Sequence, residues 1–255
     1  MMDDVTLNIL ERPELKNPVL IEGLPGIGLV GKLAADHLKD EIKATKFAEI
    51  TSPYLPPQVN IKDDGTVVPV TMDFYWYKGK QDLIILLGDF QGVTPDSQYR
   101  LSEKILDLAK DMGVNRIYTL GGLGTGSITE EPRVFGAATS KGLVTELDGK
   151  KIIFKGGGAI FGASGLLLGL SMKKGLDAVC LMGETHGQII DAKSAEAVLE
   201  LLTDILGMKV DMGELEKKAK QTQEQINQMS KIITNYKQAA ERQQEMLDEN
   251  PFYIR

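Results

Sequence analysis

The sequence predicts one α/β domain, built on a mixed, mainly parallel sheet flanked by helices, followed by a long coiled-coil-type helix and a short tail. Three observations carry that expectation. Short apolar runs alternate with helical patterns through the first 207 residues. Several of the runs are apolar almost throughout, as strands covered on both faces are. From residue 214 to 249 neither Gly nor Pro interrupts a composition of strong helix formers.

The elements follow in order. The strand-like runs are "PVLIEG", "KFAEI", "DLIILLGD", "RIYTLGG", "KIIFKGG" and "DAVCLMGE". Helical patterns lie between them at 29–41, 96–112, 162–173 and 192–206. The segment 58–79 is expected to form an antiparallel hairpin turning at "DDG". Such alternation belongs to a sheet sandwiched by helices. The expected division is therefore 1–207 for the α/β domain, 208–250 for the long helix and 251–255 for the tail.

Composition excludes several function classes. Hydrophobic content of 42% and charged content of 25% are those of an ordinary globular chain. A net charge of -7 leaves no excess of Lys and Arg to displace counterions from nucleic acid. The single cysteine, Cys180, rules out an internal disulfide framework and fits a reducing compartment. The acidic start "MMDDVTLNIL" lacks the basic region of a signal peptide. The apolar stretch "GGGAIFGASGLLLGLSM" is too short and too glycine-rich for a membrane span. A cytoplasmic location, with neither membrane nor nucleic acid as partner, is expected.

The stretch "GLPGIGLVGK" at 23–32 matches two nucleotide-binding templates in part. Gly26, Gly28 and Gly31 have the spacing of a dinucleotide turn, and Gly26 through Lys32 fit a phosphate loop short of its last residue. Leu33 stands where that loop needs a Ser or Thr for magnesium; Asp89 is a weak candidate for a second metal ligand. Glu49 lies roughly where a ribose-binding acid would. Pro25 and the close glycines also suit a tight strand-to-helix turn on steric grounds alone. The turn is the first reading and a ligand site the second. No cofactor is expected.

Other glycine clusters, "GDFQG", "GGLGTG", "GGGAIFGASG" and "GETHG", also follow strand-like runs. They should gather at the carboxyl ends of the strands, where open α/β sheets bind ligands. Gly26, Gly28, Gly31, Glu184 and His186 are the candidate pocket, with His186 beside Glu184 the best acid–base pair. Ser164, Asp89, Glu130 and Glu131 are further polar groups that the fold can bring there. His37 lies on a polar helix face and is expected to be solvated. No nucleophile elbow and no metal-ligand set appears, so no catalytic residue is assigned. The alternative is an enzyme acting on a nucleoside or similar metabolite.

The C-terminal helix carries a stronger signal. Leu215, Ala219, Thr222, Ile226, Met229, Ile233, Tyr236, Ala240, Gln243 and Leu247 alternate spacings of four and three without a slip. This is a coiled-coil seam weakened only at Thr222 and Gln243, on a helix about 54 Å long at ~1.5 Å per residue. A homo-oligomer is expected. Pro251 ends the helix and leaves Phe252 and Tyr253 on a terminus, where aromatics serve docking.

The stretches "IEGLPGIGLVGKLAADHL", "YLPPQV", "LLGDFQ", "TLGGLGTG" and "CLMGETHG" together resemble the proteasome assembly chaperone family in its archaeal branch. The resemblance spans roughly residues 5–207. It implies a fold related to the nucleoside-phosphorylase class, no established catalytic activity, no need of ATP and a role in assembling the proteasome α-ring. Some archaeal members end in a hydrophobic–Tyr–any-residue tail that inserts between α-subunits, its carboxylate pairing with a lysine. Phe252, Tyr253 and Ile254 match that pattern; Arg255 adds one residue and moves the carboxylate away.

Overall fold

The computed structural model describes residues 5–154 and 156–221. Its organising strand is β2 (Val19–Gly23), all five residues of which are buried. Such a strand needs neighbours on both edges and helices on both faces, and it has them. On one edge lies β7 (Leu83–Gly88), on the other β8 (Arg116–Gly124), both parallel to it. β11 (Asp177–Thr185) continues the parallel set beyond β8. β6 (Met72–Tyr77) joins β7 antiparallel, and β3 (Thr45–Thr51) then joins β6 antiparallel. β1 (Thr6–Ile9) closes that edge; β9 (Val134–Ala138) and β10 (Ile152–Phe154) close the other. The nine strands run β1-β3-β6-β7-β2-β8-β11-β9-β10. The mixed sheet expected from the sequence is observed, with β7, β2, β8 and β11 as its parallel centre and antiparallel pairing beginning at β6 on one side and β9 on the other.

Helices cover both faces. α1 (Val30–Glu41) and α5 (Ala192–Leu206) bury Leu38, Val198 and Leu202 against Ile21, Ile85 and Val179. α2 (Pro95–Asp111) and α4 (Gly162–Lys174) bury Ile105 and Leu167 against Leu20, Leu86 and Ile117. The boundaries have local causes. Thr94 caps α2 in a reciprocal capping box with Ser97, and Pro95 opens the first turn. Asp191 caps α5 through the Ser194 amide. Gly175 and Gly207 end α4 and α5 in the left-handed conformation. A short helix, α3 (Lys141–Glu146), lies between β9 and β10 and buries Leu143.

Three expectations are refined. The antiparallel hairpin expected over 58–79 does turn at "DDG", but it is limited to β4 (Val59–Ile61) and β5 (Val67–Pro69), which form a separate two-stranded sheet, and β6 enters the main one. The alternating burial of Met72 and Phe74, both in the α2/α4 core, draws β6 away. "KIIFKGG" does hold a strand as expected, the three-residue β10 at the sheet edge. Packing also continues past residue 207, because Leu215 is part of the α1/α5 core and Met208, Val210 and Met212 pack against it. Leu215, placed in the oligomer seam by its spacing, is thus fully buried within its own chain. Residues 213–221 are helical and Ala219 is partly buried. The remaining seam residues Ile226, Met229, Ile233, Tyr236, Ala240 and Leu247 lie outside the described residues, as do Phe252, Tyr253, Ile254 and Arg255. Among the described residues no helix is long and apolar enough to cross a membrane.

Candidate functional site

The carboxyl ends of β2, β7, β8 and β11 carry the glycine turns, and here the candidate residues meet or fail to meet. The glycines have steric work. A Cβ on Gly31 would fall on the backbone carbonyl of Leu120 in β8, and one on Gly23 would fall on Cβ of Ala35. α1 can therefore lie directly on the sheet only if both positions are Gly. Gly28 adopts φ +64 against Thr185, and Leu29 follows at φ 52, so the chain reverses into α1 through two left-handed residues. Gly122 gives room to the carbonyl of Ile27. Around Gly26 there is open space. Of the glycines that match a dinucleotide turn, Gly28 serves the chain reversal and Gly31 the close helix–strand contact, while Gly26 serves neither.

The charged groups of the phosphate-loop reading are engaged elsewhere. Lys32 Nζ lies 3.0 Å from Asp36 and 3.2 Å from Asp89. Although burial opposes its charge, these two carboxylates hold its pKa above the ordinary lysine range. Asp89, the weak metal candidate, also accepts from Asn60 Nδ2 at 3.2 Å. Glu49 is corrected too: it sits within β3, three places along the sheet from β2, and pairs with Lys46 at 2.6 Å. A ribose acid has to stand beside the glycine turn; Glu49 does not.

Glu184 and His186 do not form a pair. Arg133 donates to both Glu184 oxygens, each at 2.8 Å, and holds that carboxyl below its usual range. The Arg133 guanidinium also stacks 5.3 Å from the Phe135 ring centroid. His186 is half-buried beyond the end of β11, its Nδ1 enclosed without a partner among the described residues. Glu130 and Glu131 are exposed. His37 is not solvated: it is 7% exposed, and its Nε2 donates to the carbonyl of Asp211 at 2.6 Å. That bond ties the segment after α5 to α1. Among the described residues no group of three or more His, Cys, Asp or Glu is placed to hold a metal ion.

The residue sequence reasoning missed is Glu22. It is fully buried in the most central strand, its Oε1 accepting from the Leu24 amide at 2.9 Å and its Oε2 from Ser164 Oγ at 2.9 Å. Burial pushes its carboxyl up from 4.5 to about 7, against the lowering effect of both donors. By register it stands beside Thr119, which stands beside Cys180. Burial likewise pushes the Cys180 thiol up to about 12, far from a reactive thiolate. Ser164, a candidate for the crevice, is buried on Glu22 instead. Gln91 completes the join: its Nε2 donates to the Pro25 carbonyl at 2.6 Å, and its Oε1 accepts from the Ala163 amide at 3.0 Å. The signal for Glu22 was a lone acid in the apolar run "PVLIEG".

A cleft of about 900 Å³ opens on the same end of the sheet, towards its β1 edge. It is lined by the loop after β3, with Pro53, Pro56 and Pro57, and by Val59 and Pro69 of the β4–β5 hairpin. None of the candidate pocket residues Gly26, Gly28, Gly31, Glu184 and His186 lines it.

Comparison with known proteins places this geometry. Residues 20–230 match the PAC2 family. An uncharacterized protein of Methanocaldococcus jannaschii is 42% identical over 242 residues, covering 94% of each chain. The crystal structure of Pyrococcus furiosus PbaB, an archaeal proteasome activator, superposes with a TM-score of 0.86 at 42% identity, covering 90% of this chain and 100% of PbaB. Pyrococcus furiosus PbaA, an archaeal homolog of proteasome-assembly chaperone, superposes with a TM-score of 0.75 at 30% identity, covering 91% of this chain and 99% of PbaA.

Proposed function

The chain belongs to the PAC2 family, and from that premise we propose that it is a proteasome assembly chaperone or activator that acts by binding the proteasome. The observation that carries the proposal is the likeness to PbaB, an archaeal proteasome activator, over nearly the whole of both chains. The engagement of Lys32 by Asp36 and Asp89, and of Glu184 by Arg133, supports it. Groups that a nucleotide or nucleoside enzyme would use hold the turns together instead.

The α-subunits are the proposed partner, reached through the tail residues Phe252, Tyr253, Ile254 and Arg255. Tyr combines an apolar ring with a hydroxyl, which suits a pocket between subunits that is only partly polar. The seam from Ala219 to Leu247 supports a homo-oligomer, which would present several tails to one ring.

Native mass spectrometry of the full chain, alone and with archaeal proteasome α-subunits, tests the reading. A complex with the α-subunits is expected, and Tyr253→Ala should weaken it by ~2 kcal/mol, as loss of a hot-spot residue does. Deleting Arg255 returns the carboxylate to Ile254 and should leave binding equal or tighter. A full-length chain with no affinity for α-subunits or core particle would remove the proposal. Peptide hydrolysis by the preassembled core particle, with and without the chain, separates activation from assembly.

A further inference from the structure

Soluble proteins scatter single exposed apolar side chains over their surfaces, and such scatter has no meaning. Here they are not scattered. Of eleven large apolar side chains that are well exposed among the described residues, eight lie on the carboxyl-end face. Three of them, Val59, Ile61 and Val67, belong to the β4–β5 hairpin. In its register Val59 faces Pro69 and Ile61 faces Val67, so one face of the hairpin is wholly apolar, with Ile61 76% exposed. Asn60, on the opposite face, bonds Asp89 and turns that side towards the body. An isolated two-stranded hairpin is marginal in water; a solvated apolar face makes it more so.

The other five, Ile27, Val93, Ile128, Phe161 and Ile190, sit on the turns around the glycine stretch. Ile27 follows β2, and the Asp191 amide, next to Ile190, donates to the carbonyl of Gly28 at 2.9 Å. Phe161, 86% exposed, precedes α4, where Ala163 is bonded to Gln91, and Gln91 is bonded to Pro25. The turns are thus fastened to one another, and their apolar side chains stand on a preformed surface. Gly26, Gly124 and Gly126 are exposed between them and raise no side chain over that surface.

Charge narrows the partner. Among the described residues of this face, the exposed acids Asp63, Asp64, Glu130 and Glu131 stand against one exposed hairpin lysine, Lys62, and Lys32 is shared by two carboxylates. Arg133 and Lys193 are each taken by a glutamate. Acids outnumber free cations. A second copy of the chain meeting this face with its own would set like charges against each other.

We propose that the carboxyl-end face is a body-docking surface for a protein whose apolar side chains are bordered by Lys and Arg, and that, on the proteasome reading above, this is the surface of an α-subunit, gripped independently of the tail. Burial of the Ile61 and Phe161 side chains would supply affinity; the acidic border would speed association and fix orientation.

The test uses the full-length chain and purified archaeal proteasome α-subunits. The double variant Ile61→Ser/Phe161→Ser and the charge variant Glu130→Lys/Glu131→Lys are compared with wild type and Tyr253→Ala by surface plasmon resonance at low and high salt. All the altered side chains of the first two variants are exposed, so unfolding temperature and oligomeric mass should stay unchanged. The expected result is at least a tenfold loss of affinity in the apolar variant. The charge variant should associate more slowly and lose most of the wild type's salt dependence. Wild-type binding in both variants, alongside a loss in Tyr253→Ala, overturns the docking surface and leaves the tail contact standing. A variant that changes oligomeric mass overturns it in favour of a copy-to-copy contact. If wild type itself binds no α-subunit, the proteasome reading falls, and this assignment falls with it.

Discussion

Replacing Glu22 by Gln tests whether a neutral acid sits at the centre of the sheet. Glu22 has no solvent exposure, so its elevated pKa is not discounted by screening. A carboxyl at 4.5 in the unfolded chain and about 7 in the fold gives a difference worth about 3 kcal/mol at ~1.4 kcal/mol per tenfold in proton affinity. The sign follows from which state loses its proton first. Below pH 4.5 both states are protonated and the group is neutral to stability. Between 4.5 and about 7 the unfolded chain ionises first, so stability falls as pH rises, and the full penalty is present above about 7. Gln cannot ionise, yet its carbonyl can accept from the Leu24 amide and its amide can donate to Ser164 Oγ. Glu22→Gln should therefore match wild type near pH 4.5 and exceed it by up to about 3 kcal/mol at pH 8, roughly 6–12 °C in Tm for a chain of this size. Urea unfolding of both proteins at four pH values between 4.5 and 8 gives the difference curve. In that curve the opposing carboxylates Glu49, Glu146 and Glu184, all held low by cations, cancel. A difference that does not change with pH, or a variant less stable at pH 8, would refute a protonated Glu22.

Gly31→Ala should cost about 1–3 kcal/mol or more in urea unfolding, because its Cβ meets the rigid carbonyl of Leu120, whereas Gly26→Ala should stay within about 0.5 kcal/mol. Equal effects would show that α1 does not rest on β8. Calorimetry with magnesium ATP should give no micromolar binding, since Lys32 is held by Asp36 and Asp89 and Leu33 offers no metal ligand; affinity abolished by Lys32→Ala would reverse that reading. His37→Ala should cost about 1 kcal/mol and speed amide exchange in 208–215, which the His37–Asp211 bond fastens to α1. Unchanged exchange there would mean that Met208, Val210 and Leu215 hold the segment without it.

The helices α1, α2, α4 and α5 were legible because their signals are local; the six-residue α3 was not. The spacing of Leu101, Ile105 and Leu108, the Thr94–Pro95 start and the Gly175 and Gly207 stops can each be read without the rest of the chain. β1 and β9 were not: "TLNI" is half-exposed at the sheet edge and "VFGAA" has a Gly at its centre, so neither shows an apolar run. The glycine stretch was legible as a turn, but its reason was not. Whether Gly31 faces a phosphate or the Leu120 carbonyl depends on which strand passes under α1, and β8 lies some ninety residues further on. His37 went wrong for the same cause. The Asp211 carbonyl that buries it is 174 residues away. Glu184 and His186 are two residues apart in the chain, but Arg133 reaches Glu184 first, and no periodicity announces that. The parts of the site legible in advance were those whose chemistry is contained in one segment.

The order of strands has a consequence for synthesis. β2 is made second and sits fifth of nine, between β7 and β8. Neither neighbour exists when Val19–Gly23 leaves the ribosome, and β8 is complete only at Gly124. At about 5–20 residues per second that interval is on the order of 5–20 s. For that time a five-residue strand, apolar except for Glu22, waits with both edges open. A charged carboxylate within such a strand discourages pairing with other nascent chains, and it need only give up its charge once the sheet closes around it.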